Sequence, residues 1–404
     1  MGDRLLAIVG AGEMGRSALA ILLQDDPTLR LRVFDRSSAA LREAAGADPQ
    51  RVECRTVGTD HDEPLDLQGC ALVLNFAGPF YAGRTPAAAR SALEHGCGYV
   101  DICDDAEGTQ ALLDLDREVR AAGLSFVSGA GLSPGLTNLL AKRVVEEAPA
   151  CDGIQVAWAT RERDPGGLAP LRHMLHMAVS SSPQWQDGRM ASTPGFVPET
   201  ARAYRFPEPV GEIECYDTAH PEPMLLSRSF GHLRNVTCQG ATLPHWANAA
   251  FSAVARLGFG DPTLTVAIDG AELDPQEFLW RLLWARHDRR PGREVVDLGA
   301  IQVVGWEGER PVVRMSLVDR SSMSRSTGVG AVTIALSMLE QDLAPGVHGP
   351  EALDAQRAFA ILDRLRAATG AFADGPVVER HPELLDDRAL DSASVASRSF
   401  MNAR

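Results

Sequence analysis

The run Leu5-Leu-Ala-Ile-Val9 followed by Gly10-Ala-Gly12-Glu13-Met14-Gly15 constrains the fold more than any other stretch of this chain. Five apolar residues read as a buried strand, and the periodic pattern that follows reads as a helix over Glu13–Gln24. Gly10 permits a tight turn, Gly12 lets a pyrophosphate approach the backbone, and Gly15 allows the helix to pack closely on the strand. The helix N-terminus adds free N–H groups and a partial positive charge, so the segment predicts dinucleotide binding. Asp35 ends the next apolar run, twenty residues after Gly15, where a carboxylate accepts hydrogen bonds from a ribose and repels a 2′-phosphate. That favours NAD. Arg36 follows at once and can pair with a 2′-phosphate or stack on adenine, which keeps NADP open. A solvated Asp-Arg-Ser helix start is the structural alternative.

The first third alternates short apolar runs with helical patterns. Strands are expected at Leu5–Val9, Leu31–Asp35, Ala71–Phe76, Tyr99–Ile102 and Leu124–Ser128. Helices are expected at Glu13–Gln24, Ser38–Ala45, Thr85–Glu94 and Glu107–Ala122. This is the pattern of an α/β fold with a doubly wound parallel sheet. From about residue 151 the alternation is lost. Ile154–Thr160, Met224–Ser229, Asn235–Gly240, Thr263–Ile268, Val295–Trp306 and Val312–Asp319 read as strands of a mostly antiparallel sheet. Leu168–Val179, His245–Leu257 and Pro275–Ala285 read as its helices. The expected organisation is a dinucleotide-binding domain over residues 1–150 and an inserted substrate and dimerisation α/β domain over 151–322. Helices over 323–380 return to the first domain, and a loosely ordered tail spans 381–404.

Two further segments lie where carboxyl ends of strands meet a ligand crevice. Asn75-Phe76-Ala77-Gly78-Pro79-Phe80 leaves a strand through a Gly-Pro turn and offers backbone and amide contacts near the nicotinamide ribose. A strand with a terminating turn is its structural alternative. Tyr99-Val-Asp101-Ile-Cys103-Asp104-Asp105 brings acids to the next strand end, suited to a cationic amine or a proton shuttle. Asp104 and Asp105 equally fit helix capping. Gly129-Ala-Gly-Leu-Ser-Pro-Gly-Leu-Thr-Asn138 is a second glycine-rich turn, either an anion cradle or a structural turn. In the later domain, His173 and His176 share a helix face without a third ligand in pattern, so no metal site is expected; they line the substrate cleft, with His173 the candidate contact, or are satisfied polar groups of the core. Arg161, Arg163, Arg172 and Arg234 are candidate carboxylate clamps. Core packing is the default for Trp158, Trp185 and Trp246.

Composition narrows the partners. With 54 acidic against 39 basic residues, the net charge of −15 disfavours nucleic acid and an anionic membrane, leaving a small-molecule substrate. Lys142 is the single lysine and lies in a helical pattern, which disfavours lysine-based covalent catalysis. Seven scattered cysteines, without a C-x-x-C pair, argue against a disulfide framework and for reducing cytoplasm. No apolar stretch reaches membrane-spanning length.

The ordered set Gly-Ala-Gly-Glu-Met-Gly, Asn-Phe-Ala-Gly-Pro-Phe-Tyr, Gly98-Tyr-Val-Asp-Ile-Cys-Asp, Gly-Leu-Ser-Pro-Gly-Leu-Thr-Asn and Pro345-Gly-Val-His-Gly-Pro-Glu351 resembles the saccharopine dehydrogenase-like oxidoreductases. The match is dense over residues 1–150, looser to about 366 and absent in the tail. The resemblance implies a Rossmann domain, an α/β domain that also dimerises, and NAD(P)-dependent chemistry at a carbon–nitrogen bond. It places Asn75–Phe80 and Tyr99–Asp101 at the nicotinamide and substrate. The acidic strand end supplies the catalytic candidates Asp101, Cys103 and Asp104. Phe80, Tyr99, Arg172, His173 and Arg234 are the candidate substrate contacts. Some relatives are thought to act on carbon–carbon double bonds or lipid-like molecules, and a catalytically silent dinucleotide-binding protein is the reading from another class.

Overall fold

The computed structural model describes residues 4–58, 63–78, 80, 87–161, 168–287 and 297–380. The chain divides into two compact units: Met1–Arg143 with Arg228–Gly231 and Ser321–Gly375, and Val144–Ser227 with His232–Arg320 and Pro376 onward.

Unit 1 runs β1 (Leu5–Val9), α1 (Glu13–Asp25), β2 (Arg30–Asp35), α2 (Ser38–Ala47), β3 (Val52–Thr56), β4 (Cys70–Asn75), α3 (Ala87–His95), β5 (Gly98–Asp101), α4 (Ala106–Leu113), α5 (Asp116–Ala121), β6 (Ser125–Val127) and α6 (Leu136–Glu147). All strands are parallel, in the order β3-β2-β1-β4-β5-β6, and Gly346–His348 adds a seventh beside β6. This is the doubly wound order whose direction reverses between β1 and β4, the place where such sheets take ligands. β1 is apolar throughout because it is covered on both faces: Leu6, Ala7 and Ile8 have no exposed surface. α1 buries Ala18, Leu19 and Leu22 on one stripe. The helix Met323–Glu340 comes close to α1 at Gly328, where a Cβ would stand 2.6 Å from the Ser17 hydroxyl. The expected helix over 107–122 is two helices, α4 and α5, broken at Asp114 and Leu115.

Unit 2 contains β7 (Gly153–Arg161), α7 (Leu168–Met177), β8 (Ser181–Gln186), β9 (Arg189–Pro194), β10 (Arg202–Arg205), β11 (Glu212–Asp217), α8 (Glu222–Ser229), β12 (Asn235–Thr242), α9 (Trp246–Val254), β13 (Val266–Ile268), β14 (Ala271–Leu273), α10 (Pro275–His287), β15 (Leu298–Glu307) and β16 (Arg310–Asp319). Its sheet runs β10-β11-β12-β7-β15-β16 and ends on Val377–Glu379; β8 pairs with β12 and β9. The β12–β7 pair is parallel and the remaining pairs antiparallel. Tyr204, Phe206, Leu298 and Val318 join small residues of β7 and β12 in one buried cluster. Residues 224–229, expected as a strand, form most of α8, because Pro223 suits a first helical turn and forbids a central strand. Thr263–Ile268, expected in the main sheet, contributes only β13, which pairs with β14.

Candidate functional site

The site in unit 1 begins where β1 ends. Gly10 has φ +92°, a conformation that favours glycine, and its N–H bonds the Phe34 carbonyl at 2.8 Å. A Cβ at Gly10 would sit 2.9 Å from the Ala77 nitrogen, so the loops after β1 and β4 meet backbone to backbone. A Cβ at Gly15 would run into the Gly10 carbonyl, which fixes α1 against the turn. At Gly12 the space is open, and this N-cap of α1 accepts no hydrogen bond through a side chain. Exposed Glu13, half-buried Met14 and buried Gly15 follow in the first turn. An uncapped helix N-terminus facing open space fits a pyrophosphate.

Asp35 has a second task beyond the one read from its spacing. Its Oδ2 accepts the Ala11 N–H at 2.6 Å and its Oδ1 the Ser37 N–H at 2.7 Å, so it ties the glycine turn to β2. Each carboxylate oxygen keeps acceptor capacity for a ribose hydroxyl. Arg36 is exposed.

Asn75 forms the opposite wall. It is buried, donates from Nδ2 to the Tyr99 hydroxyl at 2.9 Å and accepts the Ala77 N–H through Oδ1 at 3.0 Å. Phe76 donates to the Val9 carbonyl at 2.7 Å, and Gly78 closes a tight turn onto the Phe76 carbonyl at 3.0 Å. Half-buried Phe80 lays its ring over Gly78, where a Cβ would be 3.3 Å away. Pro79 lies outside the described residues, as does Arg163.

The acids after β5 separate into different roles. Asp101 is 2 % exposed and accepts from Cys103 N at 3.1 Å, Gly129 N at 3.0 Å and Ser128 Oγ at 3.1 Å. Burial outweighs these donors and raises its pKa from 3.8 to about 6. Tyr99 is wholly inside the core against Phe126, with ring centroids 5.3 Å apart, so it holds Asn75 and does not reach a substrate. Cys103 is likewise a core thiol, donating to the Asp105 carbonyl at 3.3 Å, and burial drives its pKa well above the thiol range; it is no acid or nucleophile. Asp105 caps α4 by accepting from Glu107 N at 2.9 Å and Gly108 N at 3.2 Å. Asp104 is half-buried, and burial raises its carboxyl to about 7, so it changes charge near neutrality. Around Gly129–Asn138 the chain fills its own turn: a Cβ on Gly135 would strike Gly131, and Asn138 Oδ1 accepts the Gly135 N–H at 3.0 Å. That segment is structural.

In unit 2 the structure gathers residues that spacing alone did not connect. His173 and His220 have ring centroids 5.7 Å apart, and His220 stacks on Trp158 at 5.4 Å with an interplanar angle of 18°. Burial, reinforced by His173, holds the His220 pKa well below the usual imidazole value. The Trp158 indole lies flat on β12 at Gly240, where no Cβ would fit. Glu222 and Cys238 complete this buried group. His220-Pro-Glu222 and Cys238, sixteen residues on, match no ligand spacing, so only the fold reveals them. The proposed clamps do not assemble. Arg172 pairs with Asp274, and exposed Arg234 pairs with Asp187 at 3.3 Å. Arg234 precedes β12 by one residue, six positions or roughly 20 Å along the strand from Gly240 beside Trp158. Half-buried Arg161 ends β7. Trp246, expected in a core, is 69 % exposed.

A family model described as the saccharopine dehydrogenase NADP binding domain matches residues 6–127, and one described as the saccharopine dehydrogenase C-terminal domain matches residues 131–371. Among solved structures, apo saccharopine dehydrogenase (L-Glu forming) from Saccharomyces cerevisiae is similar over 94 % of this chain and 100 % of its own, with TM-score 0.65 and 16 % identity. Scyllo-inositol dehydrogenase from Lactobacillus casei, with bound NAD(H) and scyllo-inositol, covers 94 % of this chain and 99 % of its own with TM-score 0.41 and 11 % identity. A comparison with curated protein sequences finds no match. Among the described residues no helix is long and apolar enough to cross a membrane.

Proposed function

Because the chain belongs to the saccharopine dehydrogenase family, we propose that it is an oxidoreductase acting at the carbon–nitrogen bond of an imine or secondary amine in an amino-acid-derived small molecule. The observation that carries the cofactor half of this reading is the uncapped N-terminus of α1 over the open space at Gly12, with Asp35 bonded to Ala11 beside it; family membership alone supports the carbon–nitrogen half. A nicotinamide dinucleotide, when bound, supplies the hydride chemistry. The N–H groups of the first turn of α1 hold its pyrophosphate and Asp35 its adenosine ribose, which favours NAD. The backbone of Phe76, Ala77 and Gly78, fixed by the Asn75 amide, orients the nicotinamide end. Asp104 is the group that holds or releases a proton near neutral pH, and its carboxylate form favours a cationic amine or iminium. Seven free thiols support a reducing cytoplasmic setting. The deciding experiment screens amines paired with 2-oxo acids and aldehydes for oxidation of NADH and of NADPH. Turnover with an amine–carbonyl pair is expected; absence of binding of either cofactor to the purified chain sinks the reading.

A homodimer is part of this proposal. Between β12 and β15, nine large apolar side chains from Trp246 to Trp284 are each more than a third exposed, among them Leu257 at 80 % and Ile268 at 53 %. The elements that bear them are tethered by polar bonds, Ser252 Oγ to the Phe196 carbonyl at 3.0 Å and Gln276 Nε2 to the Phe259 carbonyl at 2.9 Å. Large apolar side chains left exposed at this density are what an interface with another protein surface would cover. α10 carries both charges among these residues, with Arg281 paired to Glu277, which suits a second copy better than a surface of one charge.

A further inference from the structure

Three chemically different donors converge in unit 2. An imidazole nitrogen of His220, a carboxylate oxygen of Glu222 and the sulfur of Cys238 all lie within 4.8 Å of one another, and the first two stand 3.7 Å apart. None of the three residues is more than 5 % exposed. We propose that His220, Glu222 and Cys238 form a binding site for a divalent transition-metal ion of the zinc class.

The geometry is close to what such an ion needs. With bonds of about 2.0–2.3 Å in a tetrahedron, ligand atoms stand roughly 3.3–3.7 Å apart, so the His220–Glu222 spacing already fits and the sulfur has at most about 1–1.5 Å to close. The donor types select the ion. A thiolate with an imidazole and one carboxylate suits zinc and its late first-row neighbours; magnesium and calcium take oxygen shells. The charges also close: thiolate and carboxylate together carry two negative charges, a divalent ion cancels them, and the assembled site enters the core as a neutral body, avoiding the penalty on a buried net charge.

The surroundings are those of a supported site. Thr218 Oγ1 donates to Cys238 Sγ at 3.7 Å, a bond that stabilises thiolate character. Trp158 fixes the plane of the His220 ring, and Pro221 and Pro223 bracket Glu222 at the start of α8, so two of the three donors sit on restrained backbone. Three protein donors leave a fourth position for water or for His173. The site lies within unit 2 and does not rest on the cofactor assignment, so the two readings fail independently.

The test uses the full chain, untagged and purified without chelators. Elemental analysis is expected to find one zinc ion per chain. Chelator-treated protein titrated with Co²⁺ is expected to develop an intense thiolate-to-cobalt absorption band that saturates at one equivalent. Cys238→Ser should abolish the band, and Glu222→Gln should keep it while weakening Co²⁺ binding by about tenfold or more. Wild-type protein that carries no stoichiometric metal and gives no band on Co²⁺ titration overturns the proposal without reference to any variant. A band that survives in folded Cys238→Ser overturns it too, by placing the metal elsewhere.

Discussion

Replacing Asp101 with asparagine tests the burial argument for unit 1. The wild-type carboxyl is almost wholly buried and its pKa rises from 3.8 to about 6, despite donors from Cys103, Ser128 and Gly129. A raised acid binds more protons folded than unfolded between these two values, so its contribution to stability falls as pH climbs through that window. Well below about pH 4 both states are protonated and nothing is lost; above about pH 6 both are ionised and the full cost is present. At about 1.4 kcal/mol per pKa unit the cost is about 3 kcal/mol. Asparagine carries no such proton. Its carbonyl keeps one acceptor for the same donors, so the variant has some fixed offset, but the pH-dependent part disappears. Urea unfolding of both proteins at intervals from about pH 4 to pH 7 isolates that part, since every other titrating group is shared. The stability difference should move in favour of the variant by about 2–2.5 kcal/mol across the series, the rest of the cost being already present at about pH 4, and level off near the top. A difference that stays flat, or that moves the other way, refutes the claim that desolvation dominates the donors at Asp101.

Gly15→Val drives a side chain into the Gly10 carbonyl; it should cost about 1–3 kcal/mol of stability and abolish dinucleotide binding, read by cofactor fluorescence, and binding like wild type would show that the turn geometry is dispensable. Asp104 is protonated below about pH 7 and ionised above it, so reductive turnover that draws its proton should decline as pH rises through about 7, while oxidation rises; Asp104→Asn should lower kcat by about a hundredfold or more and flatten both profiles. The double change Leu257→Glu and Trp284→Arg should leave unit 2 folded by circular dichroism and turn a dimer into a monomer in sedimentation; a wild type that sediments as a monomer removes the interface proposal.

The glycine turn of the proposed cofactor site was legible because the chemistry proposed for it imposes sequence. A turn that must clear a pyrophosphate needs glycines at Gly10, Gly12 and Gly15, and the acid that follows must end the second strand, as Asp35 does. Tyr99 and Cys103 were misplaced for a simple reason: the resemblance puts Tyr99 on a strand beside the crevice and spacing puts Cys103 just past its end, but neither says which way the side chain turns, and both turn into the core. β3 and the strands from β8 to β11 escaped notice because Val-Glu-Cys-Arg-Thr, Ser-Ser-Pro-Gln-Trp-Gln and Arg-Met-Ala-Ser-Thr-Pro lack a run of large apolar residues. The short apolar segment in α8 fits either period, and its prolines, which decide for a helix start, were outweighed by the run. The buried group of His220, Glu222 and Cys238 was out of reach, because the pairing of β11 with β12, and not spacing, brings it together.

The seventh strand of unit 1 has a consequence for how the chain is made. Gly346 donates to the Leu124 carbonyl at 2.8 Å, Val347 to Asp116 Oδ1 at 2.8 Å, and the His348 carbonyl accepts from Ser128 at 3.0 Å, so the open edge of β6 is covered by residues synthesised more than two hundred positions later. Until those residues leave the ribosome, the nascent sheet carries a bare parallel edge beside a nearly complete apolar core, a state that pairs readily with other chains. A fragment that stops near residue 150 retains the whole glycine turn and Asp35 yet lacks that edge strand, and it should accumulate as aggregate in cells that make the full chain in soluble form.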